Sequence, residues 1–285
     1  MFTKSTFLSL FTIAIATTSA SASCAYGTTA HTLMRRAGKE LNYHYNAEGG
    51  PLTWGFIDPN YSTCYTGRTQ SPIILDSSVA MAEGAPAFNI SSEGAPVNNL
   101  GTTSMNVGAK GKTVFGGREY ELVQFHFHTP SEHRIESEYY PVEMHMVHQG
   151  TDNSLVVFTV MFDLSSNATT PLASAVLPQN LQSGTNTTGP LDFTPVVEAF
   201  QSSPAYQYTG SFTTPPCTEG VTFVVSTNPL PIDVDTYNGL KKMLKFNSRY
   251  TESAPGRENL LKIVADNINN CTASTQKEGL SISGI

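Results

Sequence analysis

The chain has 285 residues, a formal net charge of −7 and four cysteines. An acidic chain with no basic run has no electrostatic means of holding a phosphate backbone, which excludes nucleic-acid binding as a function class. Past the N-terminus no apolar run is long enough to span a bilayer, and with only 14% charged residues amid many Ser, Thr, Asn, Gly and Pro, the composition suits a β-rich exported protein.

In chain order, a secretory leader is expected over 1–22. Lys4 supplies the positive end, Phe7 to Ala16 the apolar stretch, and Thr18-Ser19-Ala20-Ser21-Ala22 the small residues for cleavage after Ala20 or Ala22. The expected destination is extracellular. In the segment 23–42, Arg35-Arg36 is either a second, dibasic processing site or an ordinary solvated pair. One domain is expected over 43–275 and a flexible tail over 276–285, since no repeat, heptad or linker divides the chain. Residues 274–285 lack the hydrophobic tail of a lipid-anchor signal.

Period-2 apolar segments between Gly, Pro and Asn turns predict strands over 71–75, 88–90, 120–128, 142–148, 155–162 and 221–226. Helical spacing predicts helices over 195–201 and 234–247. A mainly β single domain on a large central sheet with a few short helices fits this census. Five acceptor sequons, at Asn60, Asn89, Asn167, Asn186 and Asn270, suit a glycosylated protein. The cysteines, Cys24, Cys64, Cys217 and Cys271, have no CxxC spacing, which argues against a thiolate metal cluster, and three disulfide connectivities stay open on spacing alone.

Five of the seven histidines fall within 124–149. In Gln124-Phe-His126-Phe-His128 the two imidazoles and Gln124 share one face of a strand while the phenylalanines pack on the other. A lone strand histidine is ordinarily a satisfied core or surface residue, but this density is hard to obtain from packing. In Glu143-Met-His145-Met-Val147-His148, a neighbouring strand brings His145 against the first pair. Three imidazoles leave one position of a tetrahedral zinc site open, the catalytic pattern. Further on, Tyr208 to Pro216 reads bare as a hydroxyl-rich turn ended by a rigid proline pair. A threonine there can take a hydrogen bond from a hydroxide if another group takes its own proton, and Glu132 is a candidate acceptor.

These motifs, with Ser131-Glu132-His133, Gly210-Ser-Phe-Thr213-Thr214-Pro-Pro, Trp54-Gly55, Gly67-Arg68-Thr69-Gln70-Ser71-Pro72 and Asn247-Ser248-Arg249, together resemble the α-class carbonic anhydrases over roughly 43–263. The resemblance implies a single domain on a mostly antiparallel, ten-stranded twisted sheet. It implies reversible hydration of carbon dioxide to bicarbonate by zinc-bound hydroxide. It makes His126, His128 and His145 the Zn2+ ligands, with Gln124, Glu143 and the Asn247 carbonyl as the groups that orient them. Thr213 becomes the gatekeeper hydroxyl and Glu132 the holder of its proton. Val147, Val157, Phe212 and Val221 form the apolar wall for carbon dioxide, beside Thr214, with Phe223 where a tryptophan is usual. His133 and Tyr208 match structural positions. Exported relatives join the positions of Cys64 and Cys217, which leaves Cys24 and Cys271 to pair.

Other departures are visible. Thr102 stands where many relatives carry a proton-shuttling histidine, and His44 is a conceivable substitute. The familiar Asn-x-Arg-Pro-x-Gln segment reads Asn247-Ser248-Arg249-Tyr250-Thr251-Glu252. Two rival readings stand. A cupin-type metalloenzyme fits the spacing His126-x-His128-x-x-x-Glu132, with Glu132 as a ligand. A noncatalytic binding module of the same resemblance ordinarily lacks a zinc histidine, and this chain keeps all three.

Overall fold

The computed structural model describes residues 42–99, 104–182 and 186–279. Twelve strands run through them: β1 (Ile74–Leu75), β2 (Ala87–Ile90), β3 (Val97–Asn99), β4 (Met105–Val107), β5 (Gly111–Phe115), β6 (Arg118–His128), β7 (Arg134–Ile135), β8 (Val142–Gly150), β9 (Leu155–Leu164), β10 (Ala205–Ser211), β11 (Glu219–Ser226) and β12 (Leu230–Ile232). Ten form one sheet in the order β10-β11-β9-β8-β6-β4-β3, with β5 beside β6, β2 beside β5 and β12 beside β9. The pairings are antiparallel except where β11 and β12 meet β9. β1 and β7 make a small parallel pair.

The central strands put different chemistry on their two faces. On one face Phe125, Phe127, Met144, Met146, Phe158 and Phe162 are fully buried, packed with Val196 and Phe200 of the helix Thr194–Ser202 and with Leu240 and Leu244 of the helix Val234–Leu244. That second helix stops at Leu244, short of the expected 247, because Lys245 turns to a φ of 61°. The other face carries the predicted functional residues. A bulge creates this division. Leu122 pairs with His148 and Gln124 with Val147, so Val123 is an extra residue in β6. A one-residue insertion exchanges the faces beyond it. Leu122 therefore joins the apolar core, while Gln124, His126 and His128 come up on the opposite side.

Two stretches differ from the sequence expectation. Ala205–Ser211 is a strand paired along β11, so the expected turn begins only after Ser211. Tyr208 stacks on Phe223 at 5.2 Å, and this aromatic ladder outweighs the polar composition of the stretch. A long helix, Leu260–Gly279, closes the described chain and runs past residue 275, where the domain was expected to end. Lys262 pairs with Asp266 on its surface. Cys64 and Cys217 form a disulfide. The pairing expected of Cys24 and Cys271, the leader, Arg35-Arg36 and Thr102 all lie outside what is described. Among the described residues no helix is long and apolar enough to cross a membrane.

Candidate active site

The site is built on one rung of the sheet and its neighbours. His126 of β6 lies directly opposite His145 of β8, and His128 lies opposite Glu143. The rings of His126, His128 and His145 stand 4.7–5.2 Å apart between centroids. One nitrogen from each falls within 4.8 Å of the others. His128 and His145 are almost wholly buried, and His126 is partly open.

Each ring has its outer nitrogen held by an acceptor. His126 Nδ1 donates to Gln124 Oε1 at 2.9 Å, His128 Nδ1 to the Asn247 carbonyl at 2.7 Å, and His145 Nε2 to Glu143 Oε1. These acceptors fix the tautomers and leave the second nitrogen of each ring with its lone pair free. Burial lowers the pKa of all three, most clearly at His126, where the neighbouring His128 and His145 rings add to the effect. At neutral pH the trio is uncharged, the state in which imidazole binds a metal. His128 Nε2 is buried and makes no hydrogen bond. It stands 3.4 Å from Glu132 Oε2, close enough for a charge contact but without hydrogen-bond geometry. A buried, unpartnered lone pair facing two more imidazoles fits a cation.

Glu143 anchors this arrangement. Burial alone would raise its pKa, but His133 and His145 outweigh that and hold it well below the usual carboxylate range. It accepts the amides of Glu132 and His133 at 2.7 and 2.8 Å and His133 Nδ1 at 2.6 Å, besides His145. His133 continues through Nε2 to the Tyr208 hydroxyl at 2.6 Å, and Tyr208 to Ser71 Oγ at 2.8 Å. His133, Glu143 and His145 also group closely enough for a metal, yet their facing atoms are spent on one another.

Glu132 is the second carboxylate. Burial pushes its pKa up to about 7 against the pull of His145, with the Thr213 hydroxyl and the Arg249 amide also favouring the charged form. The Arg249 amide donates to Oε1 at 2.9 Å. Glu132 is not among the three grouped donors, so the donor set is three imidazoles without it. Val147, Val157, Val221 and Phe223 are buried in one cluster, with Phe212 half-buried against it. Register explains this wall: Gln124, Val147, Val157 and Phe223 follow one another across four strands. Phe223 lies 5.7 Å from the His145 ring. Thr213 is buried, and Thr214 is half-buried.

Sequence reasoning gave Arg249 no role. Its buried guanidinium donates to Gln70 Oε1, the Ser71 and Cys64 carbonyls and Glu252 Oε1 at 2.8–3.1 Å. It thus ties the segment holding Glu132 and Asn247 to the disulfide. Tyr43 and Tyr45 also went unnoticed; both pack edge-on against the buried Trp54. Their only signal is the aromatic spacing toward Trp54. His148 lies on the apolar face, its nitrogens taken by Thr113 Oγ1 at 2.9 Å and the Met146 carbonyl at 3.0 Å. His44 is exposed.

Residues 49–264 match the family described as eukaryotic-type carbonic anhydrase. The solved fungal α-carbonic anhydrase of Aspergillus oryzae is 39% identical and superposes with a TM-score of 0.73 over 79% of this chain and 99% of that one. Carbonic anhydrase Nec1 of Nesocodon mauritianus is 30% identical over 77% of this chain and 84% of its own length. The carbonic anhydrase of Pectobacterium atrosepticum is 28% identical over 78% and 91%. The histidine-lined face of this sheet therefore belongs to an enzyme of the eukaryotic-type carbonic anhydrase family, whose members interconvert carbon dioxide and bicarbonate.

Proposed function

We propose that the protein is a secreted, zinc-dependent enzyme that reversibly hydrates carbon dioxide to bicarbonate and a proton, with His126, His128 and His145 as the metal ligands. The observation that carries this reading is the buried, unpartnered Nε2 of His128 beside two imidazoles whose outer nitrogens are already held. When bound, zinc acts as a Lewis acid that brings a water's pKa into the neutral range, a general property of this enzyme class.

The chain's own residues do the rest. Gln124, Glu143 and the Asn247 carbonyl keep each imidazole in the tautomer that offers its free lone pair inward. Glu132 accepts a hydrogen bond from the Thr213 hydroxyl, which leaves a lone pair of the Thr213 oxygen to accept a second one and so orient the attacking oxygen. Val147, Val157, Val221, Phe212 and Phe223, with Thr214 at their margin, give an apolar wall that suits an uncharged substrate and rejects water. His133 and Tyr208 brace Glu143 from behind. At position 102 the hydroxyl of threonine has no pKa near neutrality, so the proton leaves to external buffer or by way of His44. The leader over 1–22, the glycan sequons and the Cys64–Cys217 bond support an exported catalytic domain over 43–275.

The test is stopped-flow hydration of carbon dioxide by the purified protein before and after chelation. Catalysis that is lost with the metal and restored by zinc is the expected result. Catalysis that survives chelation, or returns only with iron or manganese, refutes the reading.

A further inference from the structure

The sheet ends at β2, which pairs with β5 alone, so among the described residues its outer edge has no strand beside it. Ala87-Phe88-Asn89-Ile90 carries no charge. Phe88 turns inward, with its ring 5.2 Å from Phe158 and 5.5 Å from Phe200, while Ala87 and Asn89 face solvent. The rungs on that outer face are Ala87–Val114–Glu119 and Asn89–Lys112–Glu121, and Val114 is 45% exposed. Charged side chains, among them the Lys112–Glu119 pair, sit inward of it on β5 and β6, so the outermost strand itself is the uncharged part. An uncharged free edge is a template for edge-to-edge pairing with another chain, and folded proteins ordinarily cover such an edge.

Asn89-Ile90-Ser91 is an acceptor sequence for N-linked oligosaccharide. Among the five sequons it is the one set on a strand of the sheet. The Ser91 hydroxyl accepts the Glu93 amide at 3.1 Å. Elsewhere the Asn60 amide donates to Asp58 at 2.9 Å, and the Thr188 hydroxyl of the Asn186 sequon both accepts from the Ala95 amide and donates to the Gly189 carbonyl. We propose that Asn89 carries an N-linked glycan that caps the free edge of the sheet. The transfer uses a lipid-diphosphate-linked oligosaccharide. The Asn89 Nδ2–C1 bond forms, the sugar C1–O bond to the diphosphate breaks, the amide loses one proton, and the lipid diphosphate leaves.

This inference rests on the exported reading, and the experiment separates the two. The full chain with its leader is expressed in a eukaryotic secretory host and mapped by mass spectrometry after enzymatic deglycosylation in heavy-oxygen water. The expected result is heavy-oxygen aspartate at position 89. Asn89→Gln and Ser91→Ala are both expected to lose that glycan and to shift to larger species by light scattering at concentrations where wild type does not, whereas Ser91→Thr keeps the glycan and the wild-type mass. A bare Asn89 beside an occupied sequon elsewhere overturns the inference alone, as do glycan-free variants of unchanged mass. A chain retained in the cell with its leader attached and no glycan overturns the exported reading and the inference with it.

Discussion

Strand β8 carries two buried histidines that look alike in the sequence and differ in their hydrogen-bond partners. His145 lies on the face with Glu143 and Val147; His148 lies three residues on, facing Met144, Met146 and Phe158. His148 has both nitrogens satisfied, by Thr113 and the Met146 carbonyl, and is a core residue that happens to be polar. On the other face, His126, His128 and His145 each have a partner for only one nitrogen, and the lone pairs left over converge. Burial is common to both sets, so burial does not make a site. What separates them is which hydrogen bonds the fold declines to make.

The most forceful test of that contrast removes one histidine from each face. His128→Ala is expected to abolish metal binding and activity, measured by metal analysis and stopped-flow hydration. His148→Ala keeps one metal per chain and loses stability by about 2–4 kcal/mol, because it leaves a cavity and strands the Thr113 hydroxyl. Denaturant melts of the two variants check the second half. Equal metal loss in both would erase the distinction between the faces.

The core histidine also predicts a pH dependence. Burial lowers the His148 pKa from 6.5 to about 4. The native state thus keeps it neutral while the unfolded chain takes up a proton below 6.5. The stability it permits is complete above that value and falls as pH drops toward 4, by at most about 3 kcal/mol. Urea melts across this window are expected to show a flatter pH profile for His148→Gln than for wild type. Identical slopes would remove the assignment.

Smaller in free energy is the effect of Glu143→Gln. The carboxylate accepts four donors, and an amide group turned toward any of them loses at least one. Zinc affinity is expected to fall by about 10–100-fold, read by competition with a chelating dye, with the fold retained by circular dichroism. Smaller still is proton export. Thr102→His is expected to raise turnover in dilute buffer by several-fold, on the order of one titratable relay, and to leave the specificity constant for carbon dioxide unchanged. No gain, together with turnover independent of buffer concentration, would assign the relay to His44 or another group.

How much of this was legible in the sequence follows the range of the interactions. His126 and His128 share a face because of a period of two with phenylalanine between them, and that rule is local. The bulge at Val123 was not legible, since nothing in Leu122-Val123-Gln124 marks an inserted residue, yet it decides which face Gln124 joins. β10 read as a turn because Tyr208-Thr-Gly-Ser is polar; its strand depends on stacking against Phe223. The helix Leu260–Gly279 was missed because Asn267, Asn269 and Asn270 are poor helix formers, although Leu261, Val264 and Ile268 keep helical spacing. Arg249 was opaque for a different reason. Its Cys64 partner is 185 residues away, and no local pattern encodes such a contact. The three-imidazole cluster and Glu132 as a hydroxyl's acceptor were legible in the residues. The choice of Thr213 as that hydroxyl and the Cys64–Cys217 bond came from resemblance, because only comparison joins motifs from opposite ends of the chain.

The central claim is that one face of β6 and β8 forms a single three-imidazole metal site that carries the catalysis. Its most direct measurement titrates metal-stripped protein with zinc while following carbon dioxide hydration. The account predicts a linear rise that breaks at one zinc per chain. Full activity before any zinc is added, or a rise with no break at one equivalent, would contradict it.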